Sequence, residues 1–278
     1  MKQYKEMLRH VLENGEDKKD RTGVGTRSVF GYEMRFDLND GFPLVTTKFT
    51  SIKTIFLELV WYLRGNGNIK FLKDNGVKIW DEWADENGDL GPVYPEQWRN
   101  WKQYKVSESG AVTINRVDQI KMLIDGLKNN PSSRRHIVSA WNVAEISDMK
   151  LPPCHSFFQF YVSGSGKLSC KLTQRSNDLY LGNPFNVACY SLLTHILAKI
   201  CGYKVGEFII SIGDAHIYHN HFNQVKEILT REPYPLPTLI VPESLTDIDQ
   251  LTSGEISWDD FKLLDYKHHP KLSAPVAV

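Results

Sequence analysis

The chain has 278 residues, enough to bury a large core, and its 41% hydrophobic and 24% charged content is that of an ordinary globular protein. Lys plus Arg and Asp plus Glu balance at 33 each, so bulk charge points to neither a nucleic acid nor a membrane surface, and any anion site must come from arginines gathered locally. The amino terminus lacks the apolar core of a secretory leader, and the best apolar window, residues 52–63, is short and contains Lys53 and Glu58. A cytoplasmic protein is therefore expected. Its cysteines, at 154, 170, 189 and 201, form no CxxC pair or zinc-type spacing, so reduced thiols are the expectation.

Residues 2–14 predict an amphipathic helix with Tyr4, Met7, Leu8, Val11 and Leu12 on one face, stopped near Asn14-Gly15. A charged loop leads to Arg21-Thr22-Gly23-Val24-Gly25-Thr26, where the glycines permit a tight turn and close approach to an anion. It is neither a Rossmann nor a Walker pattern, because no helix of the required spacing follows. Strands are predicted over residues 28–36 and 44–48, then a helix over 51–63 carrying Ile52, Ile55, Phe56, Leu59, Val60 and Leu63. Glu58 lies inside that apolar run. A buried, unpaired carboxylate there would have a raised pKa suited to proton transfer near neutrality; an ordinary surface glutamate is the alternative.

Ile79-Trp80-Asp81-Glu82-Trp83 and Gly91-Pro92-Val93-Tyr94 form an aromatic, proline-rich region that could bind a ring or simply fill core. Residues 101–116 show little periodicity and are expected to be a mobile surface insertion. A helix over 117–127 precedes Arg134-Arg135 and a strand over 136–141.

The central stretch is 151–186. Pro152-Pro153 exclude helix just before Cys154 and place that thiol at a rigid loop end. Two strands joined by Ser163-Gly164-Ser165-Gly166 follow, over 156–162 and 167–174. Arg175-Ser176-Asn177-Asp178 is a dense polar cluster that needs partners if buried. Its arginine and serine suit a phosphate, and an asparagine amide suits the edge of a pyrimidine. A thiolate near arginines would attack an electron-poor carbon, although an inert buried cysteine is the commoner occurrence. An apolar helix over 187–200, a strand over 207–213 and a helix over 224–230 complete the pattern. His216, His219 and His221 fall in the stretch between the last two, where solvated loop histidines are more expected than a metal site.

The string Pro153-Cys154-His155, then Gln174-Arg175-Ser176-Asn177-Asp178 and Gly182-Asn183-Pro184-Phe185-Asn186, resembles the thymidylate synthase family, and the likeness runs along nearly the whole chain. It implies an α/β (α+β) fold with a large mixed sheet flanked by helices. It also implies one domain over 1–278 and a homodimer formed through the sheet face. The implied reaction is reductive methylation of dUMP to dTMP with 5,10-methylenetetrahydrofolate as donor of one carbon and hydride, and no metal. By this resemblance Cys154 is the nucleophile, with Glu58, Tyr94, Asn186 and Asp178 also catalytic. Arg21, Arg175, Ser176, Asn186, His216 and Tyr218 would bind dUMP, joined by Arg134 and Arg135 from the other protomer. Lys48, Ile79, Trp80, Leu151, Asp178, Gly182, Phe185 and Ala277 would contact the folate. The chain departs from the family pattern at Pro95-Glu96, where a proline constrains Tyr94. A deoxyuridylate hydroxymethylase is the alternative within the fold, and an RNA-binding protein the alternative outside it, disfavoured by the neutral charge.

Overall fold

The computed structural model describes residues 1–277 and builds them around a six-stranded mixed sheet. In chain order its strands and the separate hairpin are β1 (Glu16–Lys18), β2 (Thr26–Asp37), β3 (Trp101–Val106), β4 (Val112–Val117), β5 (Ile137–Ser139), β6 (His155–Val162), β7 (Lys167–Asp178) and β8 (Lys204–Tyr218). The sheet runs β1-β2-β8-β7-β6-β5, antiparallel throughout except for the central parallel pair β7 and β8. This is the mixed sheet expected. Leu168, Cys170 and Leu172 alternate onto the buried face of β7, matched by Phe208, Ile210 and Ile212 on β8.

Among the described residues eight α-helices accompany it: α1 (Lys2–Asn14), α2 (Ile52–Leu63), α3 (Lys70–Asp74), α4 (Tyr94–Asn100), α5 (Gln119–Asn129), α6 (Gly182–Cys201), α7 (Phe222–Thr230) and α8 (Asp249–Ser253). Helix α6 makes the crossover between the parallel strands and is buried around most of its circumference, as its near-continuous apolar sequence requires. It starts five residues before the predicted 187. Gly182 and Pro184 look like breakers, but both lie in the first turn, where proline removes only an N–H that has no helical partner. Helix α2 is capped by Ser51, whose hydroxyl accepts the Thr54 N–H at 3.3 Å, and packs against α6 and α4.

Three sequence expectations change. Residues 44–48 form no strand: the Val45 carbonyl accepts from the Tyr266 hydroxyl, and the Thr46 and Thr47 carbonyls accept from the His269 N–H and from Arg231. Distant partners thus satisfy a buried backbone that a neighbouring strand would otherwise have to serve. The 101–116 segment is an ordered hairpin pairing Tyr104 with Ile114 and Val106 with Val112. Those four side chains are exposed, so no inward face imposes a visible alternation. Arg175 to Asp178 belong to β7 itself, and His216 and Tyr218 to β8, so polar residues extend both parallel strands at their carboxyl ends.

Candidate active site

Parallel β7 and β8 end side by side, with Ser176 opposite Asp214 and Asp178 opposite His216. Ligands in α/β sheets collect outside the carboxyl ends of parallel strands, and here a cleft of two lobes opens at that edge. The inner lobe, about 260 Å³, is lined by Glu58, Tyr62, Ile79, Trp80, Trp83, Tyr94, Leu151, Cys154, Gln174, Phe185 and Asn186, among others. The outer lobe, about 670 Å³, is lined by Lys18, Lys19, Arg21, Arg175, His216, Tyr218, Val276 and Ala277. Cys154, Ser176, Asp178, Gly182, Leu151 and Trp83 belong to both walls.

The thiol stands at this junction for local reasons. Pro152-Pro153 end in the turn that begins β6, and a bulge between His155 and Phe157 bends the strand beside it. Arg175 braces the turn: its Nε and Nη2 donate to the Pro153 and Pro152 carbonyls at 2.9 and 2.8 Å. Burial pushes the Cys154 thiol above its ordinary pKa, and the Arg175 charge opposes that rise. The Tyr94 hydroxyl accepts the Cys154 N–H at 2.8 Å and lies 3.4 Å from that of His155. Pro95 is compatible with this arrangement because Tyr94 opens α4, and a proline in the first turn costs no helical hydrogen bond. Burial also drives the phenol's pKa upward, so Tyr94 carries its proton at neutral pH.

Glu58 projects from α2 to the floor of the inner lobe with 6% of its surface exposed. Its carboxylate accepts from the Trp80 indole Nε1–H at 2.9 Å. Desolvation raises its pKa to about 7, partly offset by Trp80 and Tyr62. Asn186, one turn into α6, accepts at Oδ1 from Gln174 Nε2 and Asn177 Nδ2, both at 3.0 Å, which leaves its own amide N–H₂ free. A cysteine thiol, a carboxyl group poised near neutrality and an oriented amide thus share one small cavity.

Compared with known proteins, residues 2–278 match the family model described as thymidylate synthase. The chain belongs to the thymidylate synthase family. Membership supports methyl transfer to dUMP in dTMP biosynthesis, with methylenetetrahydrofolate as the family's one-carbon donor.

Against that family's expected sites, the structure gathers Cys154, Glu58, Tyr94, Asn186, Asp178, Ser176, Ile79, Trp80, Leu151, Gly182 and Phe185 at the inner lobe. Arg21, Arg175, His216, Tyr218 and Ala277 join at the outer one. The Arg21 loop is folded by Asp20, whose carboxylate accepts from the Gly25 N–H at 2.8 Å and the Thr22 hydroxyl at 2.6 Å. Gly25 has φ +82°, and a Cβ there would meet the His219 ring at 2.7 Å, so glycine is required.

Lys48 lines neither lobe: it is buried, donates to the Tyr180 carbonyl at 2.7 Å and lies over the Tyr180 ring. Burial lowers its pKa to about 8 against the pull of Asp178. Arg134 and Arg135 are exposed and line neither lobe within the protomer. The histidine expectation needs correction, since His221 is fully buried and His216 nearly so. Lys18 and Asp214 are further parts of the site that the sequence did not single out. Asp214 accepts from Lys18 at 2.6 Å and sits 3.3 Å from His216 Nδ1, contacts that hold its pKa near 2. Such pairings across 196 residues leave no local signal. Among the described residues no cluster of three or more His, Cys, Asp or Glu side chains could hold a metal ion, and no helix is long and apolar enough to cross a membrane.

Proposed function

We propose that the protein converts dUMP to dTMP, taking a one-carbon unit and a hydride from 5,10-methylenetetrahydrofolate and releasing dihydrofolate. The observation that carries this reading is Cys154 at the meeting point of the two lobes, with Glu58 and Asn186 within the inner one. Carbon 5 of a uracil is a poor nucleophile until a group adds at carbon 6. Cys154 Sγ makes that bond and later leaves, so the ring passes through an enolate that can attack an electrophilic carbon. The free Asn186 N–H₂ donates to O4, where the charge of that enolate collects. Glu58, with a pKa near 7, exchanges protons with the cleft at physiological pH. Tyr94 aligns the Cys154 backbone and, as a neutral phenol, assists proton removal from carbon 5.

The phosphate is assigned to Arg21, Arg175 and Ser176, where the Arg175 bonds to Pro152 and Pro153 leave Nη1 for a ligand oxygen. His216 and Tyr218 face the sugar. Methylenetetrahydrofolate supplies the carbon and hydride when bound, and the residues present suit it. Ile79, Trp80, Leu151 and Phe185 give an apolar wall, Gly182 admits close approach, Asp178 offers a carboxylate for ring N–H groups, and Ala277 closes the outer side. A contact with Lys48 would require that side chain to leave Tyr180.

A homodimer is part of the proposal, with Arg134 and Arg135 completing the partner's phosphate site. Ile137, Phe157 and Tyr161 stand exposed on the sheet face turned away from the helices, the kind of apolar surface a subunit contact removes from water. Four unpaired cysteines suit a cytoplasmic setting. The deciding assay incubates protein, dUMP and methylenetetrahydrofolate and weighs the products. A methylated nucleotide with dihydrofolate is expected; a hydroxymethyl nucleotide with tetrahydrofolate would assign the protein to water capture instead.

A further inference from the structure

His221 has no part in the chemistry above, yet it is the most completely buried histidine of the molecule. It has no exposed surface, and its ring lies between those of Tyr180 and Tyr218, at 5.2 and 5.7 Å. Its Nε2 stands 2.7 Å from the Pro275 carbonyl oxygen. A carbonyl only accepts, so Nε2 carries the proton and the ring donates. Nδ1 has no hydrogen-bond partner, and its near polar neighbour is Asp178 Oδ1 at 3.8 Å, an oxygen that already accepts the Tyr180 and Leu181 N–H groups. One ring therefore touches the carboxyl-terminal strap on one side and the cleft carboxylate on the other.

The strap has a second anchor in the same cluster. Tyr180 Oη donates to the Leu272 carbonyl at 2.6 Å, and the side chains of Leu272 and Ala274 pack partly buried against the core. The two bonds hold carbonyls three residues apart, and immediately beyond the second the chain enters the outer lobe as Val276 and Ala277. His221 lines neither lobe, so it does not meet a bound molecule directly. Asp178 is the carboxylate beside it, and among the described residues no group of three or more metal-type side chains includes it.

We propose that His221 is a positioning residue that latches the strap, its Nε2–H bond to Pro275 keeping Val276 and Ala277 in the wall of the cleft. Burial gives that bond its weight. The imidazole cannot exchange Pro275 for water without opening the cluster, and an orphaned carbonyl there would carry the desolvation penalty of an unpaired polar group.

H221F keeps a flat ring between the two tyrosines but has no donor, whereas H221Q keeps an N–H donor at a similar reach. Carboxypeptidase Y digestion of the folded protein, followed by intact mass, reads strap release directly. Loss of one buried hydrogen bond predicts trimming about five- to tenfold faster in H221F than in wild type, with H221Q restored to near the wild-type rate. H221L carries the same expectation as H221F should the phenyl ring not be accommodated. Trimming no faster in H221F and H221L than in wild type, or as fast in H221Q as in H221F, would overturn the latch.

A kinetic arm rests on the proposed dUMP methylation: KM for methylenetetrahydrofolate should rise several-fold in H221F with a smaller change in kcat, and return in H221Q. The digestion needs no turnover. A wild-type protein that makes no product, but whose strap is released by H221F, would sink the functional reading and leave the latch standing.

Discussion

Replacing Glu58 by Gln separates the energetics of this carboxyl group from its chemistry. The glutamine oxygen can still accept the Trp80 indole N–H, so the local geometry has no cause to change. The charge is lost, and with it the cost of holding a carboxylate in a buried site. Glu58 has a pKa of about 7 in the folded protein against an ordinary value of 4.5. For an acid with a raised folded pKa, neither state is charged well below 4.5, so stability is unaffected there. Between the two values the unfolded chain ionises first, and the folded state becomes progressively less stable as pH rises, levelling off above 7. At 1.36 kcal/mol per pK unit the full penalty is about 3 kcal/mol, of which about 2 kcal/mol accrues between about pH 5.5 and 8. Urea unfolding of wild type and E58Q at both pH values measures it. Any constant effect of the amide cancels in the comparison, as do all other titrating groups common to the two proteins. The stability advantage of E58Q should grow by about 2 kcal/mol across that interval while product formation falls by about two orders of magnitude or more. An advantage that does not change with pH would refute the claim that Glu58 is desolvated and unpaired.

C154S should retain nucleotide binding by equilibrium dialysis and lose turnover; near-normal product would remove Cys154 as nucleophile. N186D can keep both donors from Gln174 and Asn177 on one oxygen and present the other to the cavity as an acceptor, which suits an exocyclic amino group. Competition kinetics should therefore move preference from dUMP toward dCMP by about tenfold or more, and unchanged discrimination would count against base reading by Asn186. Y94F strips the acceptor from the Cys154 N–H and should cost about 1–3 kcal/mol in chemical denaturation. A variant as stable as wild type would show that water serves that N–H equally well.

Much of the site was readable because its residues are adjacent in the chain. Cys154 follows two prolines, and Ser176 and Asp178 fall in one short polar run, although its place at the end of β7 was not readable. The helices were legible where one face is apolar, as in α1, where Tyr4, Met7, Leu8 and Val11 are buried. The hairpin at 101–117 was not, since its apolar side chains face outward and nothing in the core enforces an alternation. Nor were residues 44–48, whose β-like composition serves a segment bonded to side chains more than 180 positions away.

Residue type and short spacing alone singled out Cys154 and the polar run Arg175 to Asp178, and the mixed sheet followed from the family resemblance that those motifs carry. Only the tertiary structure decided that Glu58 is desolvated, that Asn186 has one end of its amide already occupied, that Lys48 turns away from the cleft and that His221 holds the strap. Each of these is a relation between segments brought together by the parallel β7–α6–β8 crossover and the returning carboxyl terminus. A pKa or a hydrogen-bond partner is set by what surrounds a group in space, and chain order does not encode that distance.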